Sequence, residues 1–322
     1  MPKARAIEDA LRAILDMRES PEKYDLKRDL APFLKHRSNH VVAAAVATAE
    51  RLEASTLAQD MVDCFTNLMH DPAKRDPGCK ALLAIAKALA SMDQSAARVY
   101  FLGIKHVQME ASFGPPVDAA AELRGVCAQG LARMLHPDAL QECVTLLADP
   151  EPAARAGAVR AIADYGAPEG ALLLRLKALV GDKHEQVIAE CFSALLRLAP
   201  APSLEFVAGF LRNPSDEIAQ NAAFALGESH LAGAFPLLRE AWEQTAAPER
   251  RRAFLVAIAL LRLDTAVDFL LARASDDSLS AAAGAIAALG MYASDENICA
   301  RVRPLVATRP QLSSIFEKEF QR

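Results

Sequence analysis

The feature that most constrains this chain is a helical pattern that recurs within residues 139–229. Residues 154–166 read Ala-Arg-Ala-Gly-Ala-Val-Arg-Ala-Ile-Ala-Asp-Tyr-Gly, with small or apolar side chains wherever a neighbouring helix would pack. The scheme returns about thirty residues later in 187–199 and again in 218–230. This period predicts stacked helical pairs, because a single pair cannot bury its apolar face alone.

The pattern extends over most of the chain. We call the first helix of each pair the A helix and the second the B helix. An apolar anchor residue late in each B helix recurs at intervals of about forty residues near the N-terminus and about thirty afterwards. The anchors are Ala49, Leu89, Leu131, Ile162, Leu195, Leu226, Ile258 and Ile286. They predict an all-α fold, an α-α superhelix of about eight helical-hairpin repeats.

We expect one continuous array over residues 1–322, because such an array has no internal domain boundary. Residues 1–22 are expected to hold a capping helix, ended by Ser20-Pro21, with Ile7, Leu11, Ile14 and Leu15 on its apolar side. The repeats are predicted over 23–308 and a C-terminal capping helix over 309–322. The polar residues of that last helix are Glu317, Lys318, Glu319, Gln321 and Arg322.

Net charge, cysteine usage and the apolar runs limit the class of protein and the compartment that we expect. The net charge of −5 argues against a dedicated nucleic-acid binder, which usually carries a basic excess. The six cysteines are scattered singly and predict buried thiols in a reducing compartment. The longest strongly apolar run, 253–261, is too short to span a bilayer, and residues 1–17 lack a secretory pattern. We therefore expect a soluble cytoplasmic protein of bacterial type, without membrane insertion.

The second helices resemble HEAT repeats, and more closely the bacterial PBS-lyase HEAT-like repeats. The resemblance rests on Ala154-Arg155, Ala158-Val159, Ala161-Ile162 and Tyr165-Gly166, and on Ala222-Ala223 with Ala225-Leu226-Gly227. HEAT repeats also carry an aspartate six residues before the arginine, a spacing found at Asp118 with Arg124 and at Asp149 with Arg155. Later repeats depart from it, with Thr245 before Arg251, and Ile188 and Ala219 in place of the arginine. The resemblance covers residues 25–308 and implies a HEAT-like solenoid without naming a function.

Enzymes built on such repeats define the main alternative function. Deoxyhypusine hydroxylases use four His-Glu pairs to hold two irons, whereas this chain has one, His184-Glu185, which we interpret as a polar helix start. Phycobilin lyases resemble the repeat type, but no residue set here marks their task. His36 and His40 have a metal-ligand spacing, yet a helix start at Ser38 or Asn39 would separate them. We predict no catalytic residues, no metal and no cofactor; a HEAT-based lyase or hydroxylase, or less readily a nucleic-acid binder, is the alternative.

The outward positions of the B helices are the predicted binding surface. They fall at helical spacing and should form one strip along the concave side of the array. Its middle is mixed in charge around an aromatic anchor, and its far end turns apolar at Val256 and Leu260. The residues expected to bind a protein partner are Gln129, Arg133, Arg160, Arg197, Asn221, Phe224 and Glu228. The alternative is that these are solvated helix faces with no partner.

Three further features leave function open. The connections 70–78 and 108–117 are longer than usual and could be functional or decorative. The basic run Arg250-Arg251-Arg252 opens a helix, where the dipole disfavours cations, so it is expected to be exposed or to meet an acidic partner. The aromatic residues of the A helices are expected to pack in the core: Trp242, Phe206, Phe210, Phe235 and Phe269.

Overall fold

A computed structural model describes residues 2–276 and 278–320, and most of these residues are helical. The α-helices are α1 (Pro2–Glu19), α2 (Leu26–Leu30), α3 (Asn39–Arg51), α4 (Ala58–Leu68), α5 (Pro72–Arg75), α6 (Lys80–Ser91), α7 (Ala97–Gly103), α8 (Ala121–Arg133), α9 (Ala139–Leu146), α10 (Pro152–Tyr165), α11 (Pro168–Val180), α12 (Glu185–Leu198), α13 (Pro200–Ala208), α14 (Asp216–Glu228), α15 (Ala234–Gln244), α16 (Pro248–Leu260), α17 (Asp264–Asp276), α18 (Leu279–Leu289), α19 (Glu296–Thr308) and α20 (Ser313–Phe320). Two short antiparallel strands, β1 (Met109–Glu110) and β2 (Val117–Asp118), form a hairpin. The predicted all-α, helical-repeat fold is confirmed.

The eight predicted anchor residues all lie on B helices and are completely buried. Solvent reaches none of their side chains. They lie on α3 (Ala49), α6 (Leu89), α8 (Leu131), α10 (Ile162), α12 (Leu195), α14 (Leu226), α16 (Ile258) and α18 (Ile286). The repeat register predicted from the sequence is therefore the register of the structure.

The chain forms two compact units, residues 1–170 and 171–322. In the first unit the B helices α3, α6, α8 and α10 pack one against the next. In the second unit α12, α14, α16 and α18 do the same, and α20 packs on α18. A single continuous array over the whole chain stays a prediction.

The first capping helix packs through only part of the predicted apolar face. Helix α1 ends at Glu19, as expected from Ser20-Pro21. Ile14 and Met17 are buried, whereas Leu11 and Leu15 are exposed. The helix thus rests on a seam that runs through Ile14 and Met17, and the two leucines flank that seam. The prediction that Leu11 and Leu15 pack against the repeats was wrong. Apolar residues lie beside the buried seam as well as in it, so the sequence pattern did not show which of them are buried.

The C-terminal helix begins at Ser313 and packs on α18 and α19. Its Glu317 and Lys318 are exposed, as a polar cap requires. Glu319 instead covers Gly290, where an added Cβ would lie 2.7 Å from the Cβ of Glu319. The predicted cap residues Gln321 and Arg322 lie outside the described residues.

Small residues let successive B helices approach closely. The tightest contact is between Gly125 of α8 and Gly157 of α10, where a Cβ added at 157 would lie 2.3 Å from the Cα of Gly125. In the second unit, a Cβ at Gly227 of α14 would lie 2.4 Å from the carbonyl oxygen of Ala257 on α16. Backbone meets backbone at both places, so no side-chain rotation could make room for a larger residue.

A buried arginine joins two of the hairpins in the first unit. The guanidinium of Arg124 donates to Asp118 Oδ2 over 2.6 Å, to the carbonyl of His106 over 2.8 Å, and to both carboxylate oxygens of Asp149 over 2.8 and 2.9 Å. The predicted pairing of Asp118 with Arg124 is confirmed, and Arg124 also reaches the aspartate of the next repeat. Arg155 donates to the backbone carbonyls of Asp149 and Pro150 over 2.8 and 2.9 Å.

The surroundings of Asp118 shift its ionisation. Burial opposes the charged form, but the backbone N–H groups of Gln108 and Ala120 and the Arg124 guanidinium favour it, and the pKa of Asp118 is held below its ordinary value. Burial likewise opposes the charge of Arg124, and the two carboxylates more than offset it, so the pKa of Arg124 is raised. Asp118 and Arg124 are therefore both charged at neutral pH.

Filling the glycine contact should destabilise the fold. We expect Gly157→Ala to lower the free energy of unfolding by about 1–3 kcal/mol, because the helices must separate to admit the methyl group. Gly209 is a matched control, since it has a helical φ of −54° and no atom within 4 Å of an added Cβ. Gly209→Ala should be neutral or stabilising by up to about 1 kcal/mol. Urea denaturation of both variants measures the difference; equal effects would contradict the close contact.

The Asp118 carboxylate should stabilise the protein above its unfolded pKa and lose that effect as the pH falls through the lower folded pKa. We expect Asp118→Asn to cost about 1–3 kcal/mol at pH 7, from the loss of a charge-assisted hydrogen bond. The difference from the parent protein should shrink below about pH 4. Asp268→Asn, which removes an exposed partner of Arg301, should cost under about 1 kcal/mol. A pH-independent difference in chemical denaturation would refute this account.

Candidate functional site

The predicted strip residues of the first unit lie on α8 and α10, which pack side by side. Arg133 is exposed, while Gln129 and Arg160 are half-buried. Gln129 Nε2 donates to Asp164 Oδ2 over 3.4 Å, and Arg133 Nε lies 3.8 Å from the same oxygen. The structure therefore brings Gln129 and Arg133 together around a carboxylate of the next B helix.

Similar polar contacts link the other B helices of this unit. Lys87 of α6 pairs with Glu122 of α8 over 2.5 Å, and the Ser91 hydroxyl of α6 donates to Glu50 of α3 over 2.7 Å. Arg160 also interacts with another part of the chain. The exposed B-helix positions of the first unit thus form an ordered surface of mixed charge, in which neighbouring helices share their polar groups.

The second unit carries the other predicted strip residues on α12 and α14. Arg197 is exposed at the end of α12 and is itself engaged within the protein. Asn221, Phe224 and Glu228 follow one another at helical spacing on one face of α14, with Glu228 exposed. Phe224 is half-buried rather than fully exposed, since the close contact of α14 with α16 at Gly227 leaves less of each helix open to solvent.

An apolar groove continues this surface toward the C-terminus. Val256 of α16 was predicted to begin an apolar end of the strip, and it lines a cavity of about 750 Å³ between α16, α18 and α20. The other apolar lining residues include Leu279, Ala283, Ala287 and Ile315, with Arg252 and Lys318 also among the lining residues. Leu279 and Ile315 were not predicted from the sequence as part of this surface, although each is an apolar residue next to serines at the start of a helix.

We call the outward, exposed or half-buried B-helix residues of each unit its B-helix face. In the first unit the face comprises Gln129, Arg133, Arg160 and Asp164. In the second unit it comprises Arg197, Asn221, Phe224 and Glu228 together with the apolar groove.

The three arginines at the start of α16 each interact with a residue of the second unit. They interact as follows: Arg250 with Asp216, Arg251 with the ring of Trp242 at 4.0 Å, and Arg252 with Glu249 at 3.1 Å. The interactions explain how three cations are tolerated near a helix N-terminus. Trp242 is buried and its ring packs edge-on against Phe269 at 5.5 Å. The predicted core position is therefore confirmed for Trp242, whereas the four phenylalanines predicted with it are half-buried: Phe206, Phe210, Phe235 and Phe269.

The two long connections meet each other in a buried polar node. The Asp76 carboxylate is inaccessible to solvent and accepts hydrogen bonds from the Asn39 amide over 2.8 Å and from the backbone N–H groups of Ala81 and Leu82 over 2.9 and 2.8 Å. It thereby caps the start of α6, while the Gln108 amide donates to the Asp76 carbonyl over 2.9 Å. The connection at residues 70–78 is therefore part of the packing of three repeats.

The β-hairpin is fixed at its base by the same node. Glu110 accepts a hydrogen bond from the backbone N–H of Gly78 over 2.7 Å and from the Gln108 amide over 2.6 Å. Residues 111–116 form the exposed tip, with Phe113 fully open to solvent. The sequence analysis treated this connection as a loop because two-residue strands leave no alternating pattern.

The chemically reactive residues are dispersed. All six cysteines are buried and unpaired. Burial raises the pKa of Cys64, Cys79, Cys143 and Cys191 to about 12, so these thiols stay protonated at neutral pH. His184 is the N-cap residue of α12, as expected for a polar helix start, and His36 and His40 belong to different elements. Within residues 2–276 and 278–320, no three His, Cys, Asp or Glu residues are grouped to hold a metal ion.

Across the described ranges, the structure contains no helix with the length and apolar character needed for a transmembrane span.

Known structures that are similar to this chain include two at low sequence identity. The complex of CpcE and CpcF of phycocyanin lyase from Nostoc sp. PCC7120 is 16% identical with a TM-score of 0.40, over 78% of this chain and 94% of that one. An engineered protein is 14% identical with a TM-score of 0.41, over 99% of this chain and 95% of that one. No curated protein matches the sequence.

The sequence also matches the model of a protein family, described as HEAT repeats, over residues 117–196 and 203–290. These ranges contain the Asp118–Arg124 pair and the glycine contacts described above. Since they cover slightly more than half of the chain, the protein belongs to the HEAT-repeat family.

Proposed function

We propose that this protein is a non-catalytic scaffold or adaptor that binds another protein through its B-helix faces. The observation that carries the proposal is the face of the second unit, where an aromatic residue, flanking polar residues and an apolar groove lie on successive B helices. Protein interfaces combine such an apolar centre with a polar rim. The contact residues are those predicted from the sequence: Gln129, Arg133, Arg160, Arg197, Asn221, Phe224 and Glu228.

The arrangement of polar groups supports binding rather than catalysis. Gln129 and Arg133 interact with Asp164 on the surface of neighbouring helices, whereas catalytic groups converge on a concave pocket. The groove of the second unit is lined mainly by aliphatic and small residues.

The cellular setting that we propose is the bacterial cytoplasm. Six buried, unpaired thiols fit a reducing compartment, in which no disulfides are needed. The partner is expected to be a protein, with no cofactor or metal taking part in its recognition.

The face of the second unit can be tested with a charge-altering double variant. Leu279 is 47% exposed in the groove and Glu228 is exposed on α14, so Leu279→Glu with Glu228→Lys should leave folding intact. We expect the variant to weaken partner binding roughly tenfold or more, about 1.4 kcal/mol, because a charge replaces an apolar contact. Quantitative affinity capture from the native cell, followed by titration of the captured protein, measures the effect.

A matched control introduces the same two charges at another exposed apolar residue and another exposed glutamate of the second unit. Met291 is 42% exposed after α18, and Glu243 is exposed on the A helix α15. Met291→Glu with Glu243→Lys should retain the partner, and circular dichroism should show both double variants folded. Equal binding by the two double variants would exclude the B-helix face as the binding surface.

A further inference from the structure

Helix α11 exposes an aliphatic stripe on its outer face. Leu172, Leu176, Leu179 and Val180 are 69%, 60%, 68% and 76% exposed. Leu172, Leu176 and Leu179 are spaced by four and three residues, so they form one row along the helix. We call these four residues the α11 stripe. Of the six large hydrophobic residues exposed in the described part of the second unit, four belong to it.

The other A helices of this unit show what a solvated face looks like. Helix α15 exposes Arg239, Glu240 and Glu243, and α17 exposes Asp264 and Asp268. An A helix that faces only water has no need of aliphatic side chains, and clustered exposure of this kind marks an interaction surface.

The cations of α11 are turned away from the stripe. The Arg175 guanidinium packs over the ring of Phe206 at 4.6 Å and donates to the carbonyl of Pro202. The Lys177 ammonium pairs with the Asp182 carboxylate over 2.8 Å. Both charges are held on the side that packs within the unit, so the middle of the outer face is uncharged.

Charge returns only at the two ends of the stripe. Glu169 is exposed in the first turn of α11, and Lys183 is exposed just beyond its last turn. Leu176 lies midway, seven residues from each. The face is therefore acidic at one end, aliphatic in the middle and basic at the other end.

We propose that α11 pairs with α11 of a second copy of this chain, antiparallel and with a two-fold axis near Leu176. Antiparallel pairing brings Glu169 of each copy toward Lys183 of the other, whereas parallel pairing sets like charges together. Leu176 then packs against its own counterpart, and Leu172 lies opposite Val180. An interface with a two-fold axis uses the same patch on both copies, which a self-complementary stripe provides.

The dimer should be weak and concentration-dependent. Two helices of 13 residues that meet through one row of side chains bury less than the about 1,200 Å² of stable specific interfaces, which is the size range of weak, transient contacts. The B helices take no part in this contact, so the surface is distinct from the one proposed for partner binding.

A cysteine scan can locate the axis. The native cysteines are all buried, so an engineered cysteine on α11 is the accessible thiol. Leu176→Cys should give a disulfide-linked dimer on mild oxidation. Leu172→Cys should not, because eight residues separate it from its counterpart along the antiparallel pair, about 12 Å and beyond disulfide reach. Efficient cross-linking of Leu172→Cys would overturn the antiparallel arrangement.

Exchanging the charges at the two ends of the α11 stripe tests the antiparallel arrangement. Sedimentation of the intact chain over a range of concentrations should show a monomer–dimer equilibrium. Glu169→Lys should weaken dimerisation at least fivefold, and Glu169→Lys with Lys183→Glu should restore it. Leu176→Glu should give a monomer with an unchanged melting temperature, because the side chain is exposed. A parent chain that stays monomeric, an unrescued double variant, or binding of the stripe to neutral phosphatidylcholine vesicles in place of self-association would each refute the proposal.

Discussion

Close contacts between the backbones of successive B helices hold this structure together. At Gly125 and Gly157, and again at Gly227 and Ala257, one helix lies so near the next that no β-carbon fits between them. Such contacts bring the anchor leucines and isoleucines of neighbouring repeats into full burial, which is the main favourable contribution to folding. They also fix the outward positions, because a side chain on one B helix is then within hydrogen-bond reach of the next, as Gln129 is of Asp164.

The first unit also buries charged and amide groups. Its repeats are longer because they contain two long connections. Each connection places charged or amide side chains in the buried interior, where they form hydrogen bonds. Asp76 receives hydrogen bonds from another repeat and from the helix it caps, and Arg124 joins Asp118 to Asp149 of the following repeat. A buried charge is tolerated only with such partners. The long connections are therefore structural at their bases, and only the tip around Phe113 is free.

The sequence predicted the repeat register because burial follows a regular period. Every anchor, from Ala49 to Ile286, lies where the period placed it. The same reasoning failed for α1, where apolar residues occupy more than one face and the period alone does not decide which face packs. It also failed for the node at Asp76, because a buried aspartate in a long connection looks like an ordinary turn residue until its partners, distant in sequence, are placed beside it.

The α11 stripe was hidden from sequence analysis for a related reason. In the segment from Ala171 to Val180 most residues are apolar, so any choice of inward face satisfies the helical pattern. The structure shows that Leu174 and Ala178 are buried on the inward face, and it leaves Leu172, Leu176 and Leu179 exposed to solvent. The stripe proposed for dimerisation lies on an A helix, and the face proposed for partner binding lies on the B helices, so the two proposals concern separate surfaces. If the stripe joins two copies, each particle presents its B-helix faces twice, and a partner with two binding sites would be held more tightly than one face alone allows.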